Sequence, residues 1–309
     1  MNAGLQNREA GVGGRTASAL AVSVLGCALL SVSPIAAAPR EAPGATLPPA
    51  IAPAIPEPPA TEPVPPHRTF MLPSKILGET RRINLFLPRG YDEASPRSYL
   101  VLYMLDGGVA EDFPHVAADV DAAERAGAMR PVIVVGIENT ERRRDLTGPT
   151  TVASDRKIAP HIGGSVAFRA FLRDELLPEI GLRVRASEQR AIVGESLAGL
   201  FVLETFFEEP DLFDTYVALS PSLWWNDGAL ARGAAAALRT RLRKPATLYF
   251  ATASDDGTDD AAKSLANALG AASLPDVIWL YEPRPDLQHG TIYRGASPGV
   301  LRRLFPPQR

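Results

Sequence analysis

The chain has 309 residues, 46% of them hydrophobic and 22% charged, a globular make-up that excludes disorder throughout and gives length for one large domain or two modest ones. With 32 Lys and Arg against 35 Asp and Glu the formal net charge is −3, too even for a general polyanion binder, so nucleic acid is not an expected partner. One cysteine, Cys27, and four histidines exclude an internal disulfide and argue against a structural zinc site, so the fold must rest on its core.

The first segment reads as an export signal. Arg8 and Arg15 supply a charged start, and TASALAVSVLGCALLSV follows, apolar or small from Ala17 to Val32. That run is shorter than the ~20 apolar residues of a spanning helix, and SPIAAAPR offers small residues for a peptidase, with cleavage after Ala37. The expected outcome is a periplasmic or secreted chain with no stable membrane insertion once residues 1–37 are removed. Two rival readings stay open, an uncleaved anchor and a lipoprotein acylated at Cys27, where VLGC loosely resembles a lipobox. From Pro39 to Pro66 there are eleven prolines in 28 residues, too little apolar surface to offset the entropy of ordering, so residues 38–69 are expected to form an extended tether. A spacer is the blander role for it, and a ligand for a proline-binding groove the sharper one.

From residue 70 to 309 the pattern is that of one domain. INLFL, Ile83 to Leu87, alternates like a half-buried strand. Continuous apolar runs follow at Tyr99 to Leu105, Val132 to Ile137, Arg190 to Gly194, Tyr216 to Ser220, Thr247 to Ala253 and Val277 to Tyr281, the signature of parallel strands buried on both faces. Between them lie the helical patterns VAADVDAAERAGA, FRAFLRDELLPEI, LAGLFVLETFFEE and DAAKSLANAL. Strands alternating with helices predict an α/β domain, a mostly parallel sheet covered by helices on both faces.

The chemistry concentrates at GESLAG, Gly194 to Gly199, where a buried strand gives way to an apolar-faced helix. A serine on such a tight turn is pushed out at the sheet edge, and small neighbours are needed to let the turn close. Gly194 and Ala198 are those neighbours, Ala198 departing from strict G-x-S-x-G. Ser196 is therefore the expected nucleophile, a helix-cap serine being the alternative. A serine hydroxyl needs a base titrating near neutral pH. His67 falls in the tether, His115 lies early and His161 sits in a Gly-rich loop, which leaves His289 in LQHGTIYRG, after the last strand, where the order serine, acid, histidine of this elbow places the base. The acid is expected where the preceding strand exits in TLYFATASDDGTDD. Asp256 is the first choice, Asp255 and Asp259 are alternatives, and Asp260 reads as a cap of the next helix. Oxyanion donors should be backbone N–H groups, Leu197 on one side and Gly107 or Gly108 of the LDGG turn on the other.

With these residues in place, the chain resembles the "Putative esterase" family of α/β-hydrolases, the group that includes esterase D and the enterochelin- and salmochelin-type siderophore esterases. The resemblance covers roughly residues 70–309 and rests, beyond the elbow, on INLFLPRGYD, YLVLYMLDGG, VIVVGIENTERRRDLTGPT, FLRDELLPEI, LFDTYVALSPSLWW and HGTIYRGASPGVLRRLF. It implies an α/β-hydrolase fold, Ser196 as nucleophile, His289 as base, and an acid that some members lack or displace. It does not fix a substrate, because members act on small esters, thioesters, cyclic siderophore lactones and feruloyl esters. Gly148 is an extra residue before Pro149 where many relatives read Thr-Pro directly.

The expected function is a serine esterase that cleaves a small-molecule carboxylic ester through an acyl-serine, with no metal or organic cofactor. Arg142 and Arg144 are candidates to meet an anionic substrate and Trp224 and Trp225 to wall an aromatic one; a structural ion pair of Arg144 with Asp145 and two core tryptophans are the competing readings. An acyltransferase on the same fold is the runner-up. A non-catalytic surface protein carried by its tether is the rival from another class, and it predicts loss of Ser196 or His289, both of which are present.

Overall fold

The computed structural model describes residues 63–237, 245–272 and 274–308. The expectations for residues 1–37, Cys27 and most of the 38–69 tether lie outside the described residues. The chain begins its ordered elements with β1 (Arg68–Ser74), β2 (Glu79–Phe86), β3 (Tyr99–Met104), α1 (Phe113–Arg125), β4 (Val132–Ile137) and the short α2 (Arg142–Asp145). It continues through α3 (Ser165–Phe171), α4 (Leu177–Arg183), β5 (Ala186–Glu195), α5 (Leu197–Glu208), β6 (Thr215–Leu219) and α6 (Trp225–Ala237). It closes with β7 (Ala246–Ala253), α7 (Asp259–Ala272), β8 (Val277–Arg284) and α8 (His289–Leu304).

The eight strands form one sheet in the order β1-β2-β4-β3-β5-β6-β7-β8. β1 runs antiparallel to β2 and β2 to β4, and every later pairing is parallel. Continuous apolar strands make this possible because alternate residues feed two different cores. In β3, Tyr99, Val101 and Tyr103 join the core beneath α3, α4, α5 and α7, with Phe168, Ile180, Phe201 and Leu265. Leu100, Leu102 and Met104 join the opposite core with Val116 and Val120 of α1 and Ile292 and Val300 of α8. All six β3 residues are buried. The parallel strands carry their C-terminal ends to one edge, where ligands bind in open α/β sheets.

Three local expectations are corrected. The domain begins before residue 70: β1 starts at Arg68, Val64 packs on the α1/α8 core, and His67, assigned to the tether, sets its ring edge to face on Phe113 at 5.3 Å. The Val277 to Tyr281 run is not buried on both faces, since β8 is the sheet edge and Ile278 is 72% exposed. The FRAFLRDELLPEI segment is α3 and α4 joined by a π-helical turn, Leu172–Leu176. Pro178 stands at the start of α4, and because proline has no N–H to give the preceding turn, the wider turn absorbs the missing bond.

Candidate active site

Ser196 connects β5 to α5 with φ 60° and ψ −120°, a region that costs a non-glycine residue about 1–3 kcal/mol and that persists where the surroundings impose it. They do so through the backbone: Ser196 N–H donates to Leu219 O at 3.0 Å, and Ser196 O accepts from Leu200 N–H and Ser222 N–H, each at 3.0 Å. The small neighbours are sterically required. A Cβ on Gly194 would lie 2.7 Å from the backbone of Ala198, and one on Gly199 would lie 2.9 Å from Leu219 O. The turn thus presents the Ser196 hydroxyl at the C-terminal edge of the sheet.

The structure brings Ser196, His289 and Asp256 into one hydrogen-bonded run. His289 Nε2 is 3.0 Å from Ser196 Oγ, and its Nδ1 is 2.8 Å from Asp256 Oδ1. His289 is the first residue of α8, whose start is fixed by reciprocal bonds between Gln288 and Thr291. Asp256 is held in turn: Ser220 Oγ lies 2.7 Å from both of its carboxylate oxygens, and Ala253 N–H donates to it at 2.6 Å. Burial pushes the Asp256 pKa up, but the bonds from His289, Ser220 and Ala253 outweigh it and hold the carboxyl below its ordinary value. The bond to Asp256 raises the His289 pKa above its ordinary 6.5 against the effect of burial, with the charges of Glu195, Asp256 and Asp255 adding to the rise.

The alternatives to Asp256 sit elsewhere. Asp255 accepts the His289 backbone N–H at 2.6 Å, anchoring the first turn of α8 rather than the imidazole. Asp259 opens α7, with Asp260 beside it, where a carboxylate complements the helix dipole.

Of the expected oxyanion donors, Leu197 is the first residue of α5, and the N–H of that position has no partner within its own helix. Gly107 is corrected: its N–H donates to Ile137 O at 3.0 Å, and its Cα lies so close to Gly136 and Ile137 that a Cβ would meet Ile137 N at 2.2 Å. Gly107 is the close-approach residue of the turn. The Gly108 N–H donates to Glu111 Oε2 at 2.7 Å, so an incoming oxyanion reaches it only by displacing that carboxylate.

The two arginines are committed to protein partners. Arg142 Nε and Nη2 bind the carboxylate oxygens of Asp106 at 2.6 and 2.8 Å, and Nη2 also reaches the backbone oxygen of Glu195 at 3.3 Å. Arg144 chelates Glu79 at 2.7 and 3.1 Å and binds Asp145 at 2.7 Å, while Arg81, itself buried, pairs with the same two acids. Both expected substrate contacts are therefore corrected to bracing roles in this structure. Trp225 is buried, its Nε1–H donating to Gly148 O at 3.0 Å. Trp224 is 46% exposed, two residues beyond Ser222, whose Oγ lies 3.4 Å from that of Ser196. At Gly148 a Cβ would come within 2.9 Å of the Glu204 carboxylate, so a larger residue there would require that side chain to shift.

Two residues of the site escaped the sequence reading. Ser220 gave no signal, being one polar residue at the end of an apolar strand. Glu195 did give one: it is the acidic residue inside the elbow. Its Oε1 lies 3.3 Å from His289 Nε2, and burial pushes its pKa up to about 7 against the pull of His289 and Arg142.

A serine on a strained strand-to-helix turn, a histidine after the last strand and a mostly parallel sheet define the class as an α/β-hydrolase fold. The chain belongs to the "Putative esterase" family, whose model matches residues 74–279. It is 34% identical over 162 residues to the ferri-bacillibactin esterase BesA of Bacillus subtilis, covering 48% of this chain and 56% of that one. It is 31% identical over 163 residues to the siderophore enterobactin esterase of Emericella nidulans, covering 45% and 51%. These matches span about half the length of the curated relatives. Among solved structures, an IroE-like serine hydrolase from Shewanella oneidensis superposes with a TM-score of 0.70 at 27% identity, over 78% of this chain and 80% of the other.

Proposed function

We propose that the chain is a serine hydrolase of carboxylic esters, with Ser196 as nucleophile, His289 as base and Asp256 as the acid that orients it. The observation that carries this reading is the run Ser196 Oγ, His289 Nε2, His289 Nδ1, Asp256 Oδ1, with successive contacts of 3.0 and 2.8 Å. As the Ser196 oxygen bonds the ester carbonyl, its proton passes to Nε2, and Asp256 stabilises the imidazolium and fixes the tautomer. The proton then leaves with the alcohol as the ester C–O bond breaks, and water resolves the acyl-serine by the same steps. The Leu197 N–H is the first donor to the oxyanion and the Gly108 N–H the second once Glu111 moves aside.

For the substrate we favour a siderophore-type ester bearing aromatic, anionic arms. The names of the two curated relatives support a siderophore-type ester, and the exposed indole of Trp224 beside the Ser222 segment supports an aromatic arm. Next to the elbow, Glu141, Arg142, Arg143, Arg144 and His161 line an open depression of about 530 Å³; with Arg142, Arg144 and His161 paired to acids, it is Arg143, which donates to the Ile158 backbone oxygen, that offers charge to an anionic arm outside the acyl site. The export reading belongs to the same proposal, because residues 1–37 read as a removable leader; mass spectrometry of envelope and medium fractions distinguishes a chain starting near Ala38 from an acylated Cys27 or an intact Met1.

The test is hydrolysis of a panel of p-nitrophenyl esters and a tricatecholate trilactone by wild type and Ser196→Ala. Release of acid and alcohol by wild type alone is expected. Equal turnover by both proteins overturns the reading, and acyl transfer to an added alcohol in place of water assigns the chain to the acyltransferases.

A further inference from the structure

Strand alternation determines where Glu195 points. Ala191 and Val193 of β5 face the α1/α8 core, and Glu195 follows them at the same parity, so its side chain is directed to the face where α8 begins. An apolar residue would continue the pattern. Instead a carboxylate stands there, its side chain only 16% exposed, with Oε1 shielded from solvent, lacking a hydrogen-bond partner and 3.3 Å from His289 Nε2.

We infer that Glu195 is a second carboxylate partner of His289, on the Nε2 side, which holds the imidazolium formed during acyl transfer and governs when His289 is free to act as a base. This rests on the reading of Ser196 and His289 as nucleophile and base. The imidazole lies between two acids, Asp256 at Nδ1 and Glu195 at Nε2, with the nucleophile sharing the second nitrogen at 3.0 Å. In neutral His289 the Nε2 lone pair accepts the Ser196 hydroxyl and gains nothing from an anionic neighbour. Once the Ser196 proton has moved to Nε2 as the Oγ–C bond forms, Nε2–H becomes a donor with Glu195 Oε1 in reach. It then protonates the departing alkoxide as the ester C–O bond breaks, and the imidazole is neutral again.

The surrounding charges act on this pair from every side. Arg142 of α2 attracts Glu195 but spends its fork on Asp106, while Asp106 and Asp112 of the β3–α1 connection repel it. From α8, Tyr293 is buried close enough to feel Glu195, Asp106 and Asp112, and from the β7–α7 loop Asp255 and Asp256 act on His289. The same carboxylate that steadies the imidazolium in the reaction also steadies it in the resting enzyme, so it delays the base to higher pH. Groups coupled this closely titrate as a pair.

The experiment compares wild type, Glu195→Gln and Glu195→Asp in two ways: the pH profile of kcat/KM on a short p-nitrophenyl ester, and an NMR titration of the His289 imidazole, assigned against His289→Gln. An opposite charge within about 4–6 Å shifts a pKa by about 1–3 units, so Glu195→Gln should move both the acid limb and the His289 titration at least about one unit lower. Its plateau kcat should fall about tenfold, the rate equivalent of one unit. Glu195→Asp, which keeps the charge but withdraws it by one methylene, should fall between the two and is decisive alone if the glutamine variant does not fold. A His289 titration unmoved in the folded variants overturns the inference. The titration needs no turnover, so a His289 titration that moves between wild type and the Glu195 variants, when wild type hydrolyses no ester, overturns the proposed function and leaves the Glu195–His289 coupling standing.

Discussion

Arg142 holds Asp106 in a two-pronged grip, Nε to Oδ1 at 2.6 Å and Nη2 to Oδ2 at 2.8 Å, and Asp106 has a φ of 54° at the turn that carries Gly107 and Gly108. Asn139 Nδ2 donates to the same carboxylate at 2.6 Å and to Glu111 at 2.8 Å. The guanidinium thus ties α2 to the turn that carries Gly107 and Gly108.

Arg142→Lys keeps the charge and loses the fork. Because the Arg142 side chain is one third exposed, the loss is below that of a fully buried pair, about 1–3 kcal/mol. For a domain of this size that corresponds to a Tm lower by about 2–12 °C. Steady-state kinetics on a neutral short ester should show lower kcat with KM little changed. A KM rise confined to anionic esters would instead assign Arg142 to substrate contact.

Of the four aspartates after β7, the three weighed as the acid separate by charge removal at constant shape. Asp256→Asn should cost about 10⁴-fold in kcat. Asp255→Asn retains an acceptor for the His289 N–H and should stay within a few fold, and Asp259→Asn should lose only about 0.3–1 kcal/mol of helix stabilisation. Single-turnover rates with circular dichroism check all three. Near-wild-type rates in Asp256→Asn would reduce the machinery to a Ser196/His289 dyad.

Ser196 carries strain that glycine does not feel. Ser196→Gly should melt above Ser196→Ala by about 2–4 °C, the equivalent of roughly 1 kcal/mol of relieved strain, with both variants inactive. Differential scanning calorimetry reads the order, and an alanine variant as stable as the glycine one would show that the φ of 60° costs nothing.

Activity and the stability contributed by His289 should run in opposite directions with pH. His289 titrates above its ordinary 6.5 in the folded chain, so its contribution is complete below 6.5 and fades as pH rises through the folded value. Asp256 titrates below its ordinary 3.8, so its contribution is present above that value and fades as pH falls through the lowered one. The Tm difference between wild type and His289→Gln, followed from about pH 5 to 9, should shrink on the alkaline side. Over the same span kcat/KM should climb through a limb above 6.5. A limb at or below 6.5 would contradict the pairing with Asp256.

Much of this arrangement is legible in the residues themselves. Apolar runs marked the strands because each strand feeds two cores, and the candidate site lies where those runs end, at Ser196, Asp256 and the start of α8. What stayed hidden depends on partners distant in sequence. Asp106 and Arg142 are 36 residues apart and Glu79 and Arg144 are 65 apart, so the sequence offered only the adjacent Arg144–Asp145 pair and gave no sign of the two distant acids. The Gly107 N–H could not be assigned from the LDGG turn, because its acceptor, Ile137 O, belongs to the neighbouring strand. β8 read as central because its composition is apolar, and only strand order reveals an edge.

The most direct measurement is intact-mass and peptide mapping after brief exposure to a fluorophosphonate, on wild type, Ser196→Ala and His289→Gln. A single phosphonyl adduct on the peptide containing Ser196, absent in the first variant and formed far more slowly in the second, is the predicted result. An adduct on another residue, or labelling of Ser196 that is indifferent to His289, would contradict the assignment of nucleophile and base.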